Sequence, residues 1–125
     1  MNTNNFSLKS RFESLKFAFH GLVSLLKNEH NSRIHFLAAI VAITTGIILK
    51  INPFEWYLLI IVIGIVILTE LLNSSLETLA DIVDPEWNEK IRKAKDYAAA
   101  AVLISAIISV VVGGLIFIPK ILVLL

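Results

Sequence analysis

Three stretches of the chain are so uniformly apolar that hydrophobic periodicity disappears from them, and one stretch before them keeps it. Residues 34–51, 54–72 and 97–118 read as runs of Ile, Leu, Val, Ala and Phe with few interruptions. Upstream, Leu8, Phe12, Leu15, Phe19, Leu22 and Leu26 recur at steps of three and four, with Lys9, Arg11, Glu13 and Lys16 mostly on the other side. That spacing predicts an amphipathic helix over 7–28, with Ser7 as its N-cap. Residues 1–6 are mostly polar and are expected to be disordered. An aromatic apolar face opposed by basic residues suits a membrane surface, although a soluble packing face has the same pattern.

The apolar runs predict three membrane helices. The first covers 34–51 and ends where Asn52-Pro53 turns the chain. The second begins near 54, with Trp56 and Tyr57 suited to an interfacial belt. No helix breaker follows until Pro85, so this helix is expected to continue to 84. From Trp56 to Asp84 it would be about 42 Å long at about 1.5 Å per residue. A hydrocarbon core is about 30 Å thick, so the far end should reach or pass one interface. The third helix, 97–118, is expected to stop at Pro119-Lys120. It carries Ala101, Ser105, Ser109 and Gly113 at four-residue steps, a ladder that permits close helix approach in lipid.

Composition strengthens this reading. Of 125 residues, 57% are hydrophobic, and the mean hydropathy of +0.81 exceeds that of ordinary soluble domains. The length fits a single domain, 1–125. A net charge of +1 gives no field that would gather nucleic acid. Without cysteine, disulfides, zinc-thiolate sites and cysteine nucleophiles are excluded. The first residues lack the pattern of a cleaved signal peptide. Nine basic residues, Lys9, Arg11, Lys16, Lys27, Arg33, Lys90, Arg92, Lys93 and Lys95, fall on one side of a three-span topology, and only Lys50 and Lys120 on the other. The positive-inside rule then puts the N-terminus in the cytoplasm and the C-terminus outside.

One feature does not belong in a simple apolar span. The second helix ends in TELLNSSLETLADIVD, residues 69–84. On a helix turning about 100° per residue, Glu70, Asn73, Glu77, Asp81 and Asp84 fall within roughly 80° of one another. Leu72, Leu76, Leu79 and Val83 cover the other side. Acids at membrane depth require pairing, protonation or a metal. The basic segment ending in Lys95, or a divalent ion such as Mg²⁺ held by carboxylates, would serve, with Glu29 a further carboxylate on the same side. A solvated helix extension would also be acidic, which suits Asp81 and Asp84 best, and Glu29 alone could be an ordinary surface acid. His20, His30 and His35 lack metal-ligand spacing and read as interfacial or packing residues. Trp87 suits either an interface anchor or a base-stacking surface.

These residues carry a resemblance. ELLNSSLETLADIVD resembles the E-x-x-N-[ST]-x-x-E-x-x-x-D signature of the small integral-membrane bacterial lipid kinases, the diacylglycerol and undecaprenol kinase family. KAKDYAAAAVLISA and GLVSLLKNEHNSRIHF resemble two further blocks of that family, and the likeness spans about residues 10–118. Ser32 departs from the pattern, standing where phenylalanine is commoner, and is expected to affect packing only. The resemblance implies an all-α membrane protein, a surface helix plus three transmembrane helices, assembled as a homotrimer with shared active sites. It implies transfer of the ATP γ-phosphate to the hydroxyl of a membrane lipid alcohol, with Mg²⁺ or another divalent cation, in the bacterial inner membrane. By the same resemblance Glu70 is the general base and lipid contact, and Asn73 orients it. Glu29 and Glu77 hold the metal, and Lys95 and Asp96 meet the nucleotide. Arg11, Phe17, Glu86, Trp87 and Asn88 fall where the family touches ATP. No P-loop and no soluble-kinase catalytic loop is present. Two non-enzymatic readings compete: an oligomer lining an ion or proton pathway with Glu70, Glu77 and Asp81, and a membrane scaffold built on the small-residue ladder.

Overall fold

The computed structural model describes residues 6–84, 86 and 88–125, so the expectations for residues 1–5, Pro85 and Trp87 lie outside it. Four helices follow in order: α1 Leu8–Asn28, α2 His30–Ile48, α3 Pro53–Val83 and α4 Glu89–Leu124. The last three are each long and apolar enough to cross a membrane.

Helix α1 begins at Ser7, whose Oγ accepts a hydrogen bond from the Ser10 amide at 3.5 Å. Its apolar stripe is uncovered over the first half: Leu8, Phe12, Leu15 and Phe19 are all exposed, and only Leu25 is buried. A soluble packing face is therefore not what this stripe provides within the chain. The chain bends into α2 at a single extended residue, Glu29. Arg33, one turn into α2, reaches back to α1. Its Nε donates to the Leu26 carbonyl at 2.7 Å and its Nη2 to the Lys27 carbonyl. These carbonyls are otherwise left over at a helix end, where a cation also suits the helix dipole. Helix α2 consequently starts at His30, four residues before the apolar run begins.

The α2–α3 turn is specified locally. The Lys50 amide donates to Ile47 O and the Ile51 amide to Gly46 O, a Schellman closure whose left-handed residue is Lys50 at φ 51°. Asn52 and Glu55 then form a reciprocal capping box, each side chain accepting from the other's amide at 2.9 Å, with Pro53 in the first helical turn. Gly46 is buried because the Trp56 ring and Ile51 close over it; a Cβ there would lie 3.0 Å from Trp56 Cη2 and 3.1 Å from Ile51 Cδ1. Trp56 thus packs partly inward rather than serving only as an interfacial belt.

Helices α3 and α4 form the most extensive pair. Ile51, Leu59 and Ile116 make a small core with Ala42, Trp56, Ile63, Val112 and Phe117 around it. Of the small-residue ladder, Ser105 is buried, Ser109 and Gly113 are half-buried, and Ala101 is exposed. Most large aliphatic side chains of α2, α3 and α4 point outward, which suits a lipid solvent.

Helix α4 departs from expectation at both ends. Asn88 caps it by accepting from the Lys90 and Ile91 amides at 3.0 and 3.4 Å. The basic residues Lys90, Arg92, Lys93 and Lys95 therefore lie in its first turns and not in a loop. At the other end Pro119 sits inside the helix, which continues to Leu124. In an apolar medium the residues beyond a proline satisfy their backbone best by remaining helical, and proline is better tolerated there than in water. Continuation also carries Lys120 to Glu55, Nζ to Oε2 3.2 Å, tying α4 to the start of α3.

Candidate active site

Glu70 is the focus. It lies 17 residues into α3, about 26 Å along the helix axis at 1.5 Å per residue, and is only 4% exposed. Its polar partners come from α2 and not from the basic segment of α4. Ser32 Oγ donates to Glu70 Oε2 at 2.9 Å. His35 Nε2 stands 3.1 Å from Oε1, yet no hydrogen bond joins them, and Oε1 is buried without one. The carboxylate therefore has one oxygen held by a hydrogen bond and the other buried without one.

The sequence alone suggests lesser roles for both partners. Ser32 is more than a packing residue: it is completely buried and bonded to the carboxylate. His35 is more specific than an interfacial histidine. The signal that could have exposed them is their three-residue spacing, which sets a hydroxyl and an imidazole on one face of α2 as it turns apolar. Asn73, expected to orient Glu70, makes no hydrogen bond to it; its Oδ1 is buried without a partner. Beside Glu70, the Thr69 and Ser105 hydroxyls meet at 2.9 Å and join α3 to α4.

Further along α3, Asp81 pairs with Lys95, Oδ1 to Nζ 2.8 Å. The compensation expected from Lys95 is thus delivered to the acid that had also suited a solvated extension, and Asp81 is indeed 68% exposed. Glu77 is half-buried between these two centres. Glu29, at the α1–α2 bend, lines a cleft of about 430 Å³ between α1 and α3, together with Gly21, Ser24, Asn28, Ser74 and Thr78. Ser74 Oγ is buried in its wall without a partner. Phe17 is exposed on α1, and Arg11 lies over the Phe6 ring, 5.5 Å from its centroid. The Glu86 amide donates to Asp84 Oδ1 at 3.1 Å, Asn88 has its Oδ1 engaged in the α4 cap, and Asp96 is exposed.

Among the described residues no group of three or more His, Asp or Glu side chains is placed to hold a metal. Glu29 and Glu77 are hard oxygen donors, however, and Mg²⁺ is commonly held by one or two carboxylates plus substrate phosphates and water. As a donor set they fit the ion.

Fold and site together define a small all-helical membrane protein with a buried, half-satisfied carboxylate midway along its second spanning helix. A family model described as prokaryotic diacylglycerol kinase matches residues 16–117. An undecaprenol kinase of Bacillus subtilis is 33% identical over 109 residues, covering 87% of this chain and 89% of that protein. A diacylglycerol kinase of Haemophilus influenzae is 35% identical over 105 residues, covering 83% and 89%. One from Synechocystis is 34% identical over 110 residues, covering 87% of this chain and 63% of the relative. The chain belongs to the prokaryotic diacylglycerol kinase family, as its signature residues imply.

Proposed function

We propose that this protein is an ATP-dependent kinase that phosphorylates the hydroxyl of a membrane lipid alcohol, diacylglycerol or undecaprenol, with Glu70 as the base. The observation that carries the reading is the open Oε1 on a carboxylate whose other oxygen is held by Ser32. A buried carboxylate that lacks a second partner is costly to keep and is positioned to accept a proton. As the lipid oxygen attacks the γ-phosphorus, its proton passes to Oε1, and the bond from phosphorus to the bridging oxygen of ADP breaks. Such transfer depends chiefly on alignment and charge neutralisation.

Glu29 and Glu77 would hold Mg²⁺, which would neutralise phosphate charge when bound. Lys95 adds a cation on the same side of α3, and Asp96, Arg11, Phe17, Glu86, Trp87 and Asn88 are the further nucleotide contacts of this reading. The buried, unpartnered Asn73 Oδ1 and Ser74 Oγ are available to substrate. Glu77 is about 10 Å along the axis from Glu70, at about 1.5 Å per residue. That offset suits one substrate in lipid and one in water. The basic residues favour a cytoplasmic N-terminus and an outside C-terminus in a bacterial inner membrane. A homotrimer with shared sites would complete the nucleotide pocket. No observation favours the ion-pathway or scaffold readings.

The test is incubation of the purified protein with labelled ATP, Mg²⁺ and each lipid in turn. Label should move to one lipid alcohol or both. Transfer to neither would overturn the proposal.

A further inference from the structure

Ser32 and His35 are the two side chains among the described residues that bond or pair with Glu70. From this we infer that they complete the proton acceptor: Ser32 selects Oε1 as the accepting oxygen, and His35 clears the proton from it after each turnover. The inference rests on the reading of Glu70 as the base.

The argument starts from burial. A carboxylate that is 4% exposed has no ready access to water, so a proton gained from the lipid hydroxyl must leave through a neighbouring group. Ser32 cannot take it, because its own proton is committed to Oε2 at 2.9 Å and it is wholly enclosed. That hydrogen bond has a second effect: with Oε2 occupied, the rotamer is locked and Oε1 remains the basic site. His35 Nε2 lies at hydrogen-bond length from Oε1, 3.1 Å, and its side chain is 26% exposed. It is the member of the cluster exposed at the surface of the chain, and it lies five residues into α2, near the α1–α2 bend.

The steps balance. The lipid O–H proton binds Oε1 as the phosphoryl group moves to the lipid oxygen. The proton then passes across the 3.1 Å separation from Oε1 to the Nε2 lone pair of an imidazole whose own hydrogen is on Nδ1. The imidazolium releases it to water, restoring carboxylate and neutral imidazole. His35 acts through Glu70 and is a positioning and relay residue that need not touch substrate.

The experiment compares His35→Ala, His35→Gln, Ser32→Ala and Glu70→Gln with the parent chain in lipid micelles, measuring kcat, KM for ATP and lipid, helicity by circular dichroism, and the response to added imidazole. Both His35 variants should lose about a hundredfold in kcat, the low end for a lost acid–base group, with KM for ATP nearly unchanged. Imidazole should restore much of the activity of His35→Ala. Ser32→Ala should lose kcat without responding to imidazole. Parent-like kcat in His35→Gln, or a folded His35→Ala that imidazole leaves inactive, overturns the relay. Parent-like kcat in Ser32→Ala overturns the selection of Oε1. Activity of Glu70→Gln separates the cases: if that variant is fully active the base reading itself is wrong, and if it is inactive only the roles of Ser32 and His35 are at stake.

Discussion

Adding a single methyl group at Gly46 tests the packing that joins α2 to α3. A Cβ there would stand 3.0 and 3.2 Å from Trp56 Cη2 and Cζ2 and 3.1 Å from Ile51 Cδ1, closer than carbon atoms rest without strain. The Ile51 side chain is itself buried in the small core, so it has little room to withdraw. Overpacking of this kind costs about 1–3 kcal/mol, offset by about 0.5–1 kcal/mol because alanine suits a helix better than glycine, so we expect Gly46→Ala to lose about 1 kcal/mol net, with α2 otherwise intact. Trp56→Leu removes the crowding ring at its own expense. In a double-mutant cycle the pair should therefore be coupled, the double variant being more stable than the sum of the singles predicts by about 1 kcal/mol or more. The assay is unfolding in mixed micelles titrated with denaturing detergent. A neutral Gly46→Ala, or strict additivity with Trp56→Leu, would refute the claim that the two helices meet at this contact.

Other expectations follow from the same geometry. Lys50 holds a left-handed φ of 51°, which costs a non-glycine residue about 1–2 kcal/mol; Lys50→Gly should raise stability in the same titration, by less than that because glycine loses more entropy on folding. Thr69→Val removes the hydroxyl that meets Ser105 across α3 and α4 and should cost about 0.6–2 kcal/mol, the span measured for such bonds in lipid, with Ser105→Ala adding little on top. Glu77→Gln and Glu29→Gln should raise the Mg²⁺ needed for half-maximal activity by at least about tenfold, the least seen even for outer partners of a metal, while leaving KM for lipid unchanged; chelator should abolish activity and excess Mg²⁺ restore it.

How far the sequence disclosed all this depended on what lies within one helix. The heptad-like spacing of α1, the lengths of α2 and α3, and the stripe from Glu70 to Asp81 are properties of a single helix and were legible. So were the signature residues that mark the family. What crosses between helices was not. Ser32 and Glu70 are separated by 38 positions, and no periodicity along one segment reports a contact with another. The same holds for Lys120 and Glu55, whose pairing depends on α4 continuing through Pro119. Proline rules drawn from helices in water stop that helix too early, because they do not count the cost of unsatisfied backbone in lipid. Asn73 shows the reverse case: its place on the acidic stripe was visible, but its lack of any bond to Glu70 was not.

The central claim is that the open oxygen of Glu70 takes the proton of a lipid hydroxyl. Its most direct measurement is label transfer from ATP to lipid by the parent protein and Glu70→Gln side by side, in the same micelles and at matched helicity. The account predicts that the parent labels lipid and that Glu70→Gln falls by at least about a hundredfold in kcat. Undiminished transfer by Glu70→Gln would contradict it.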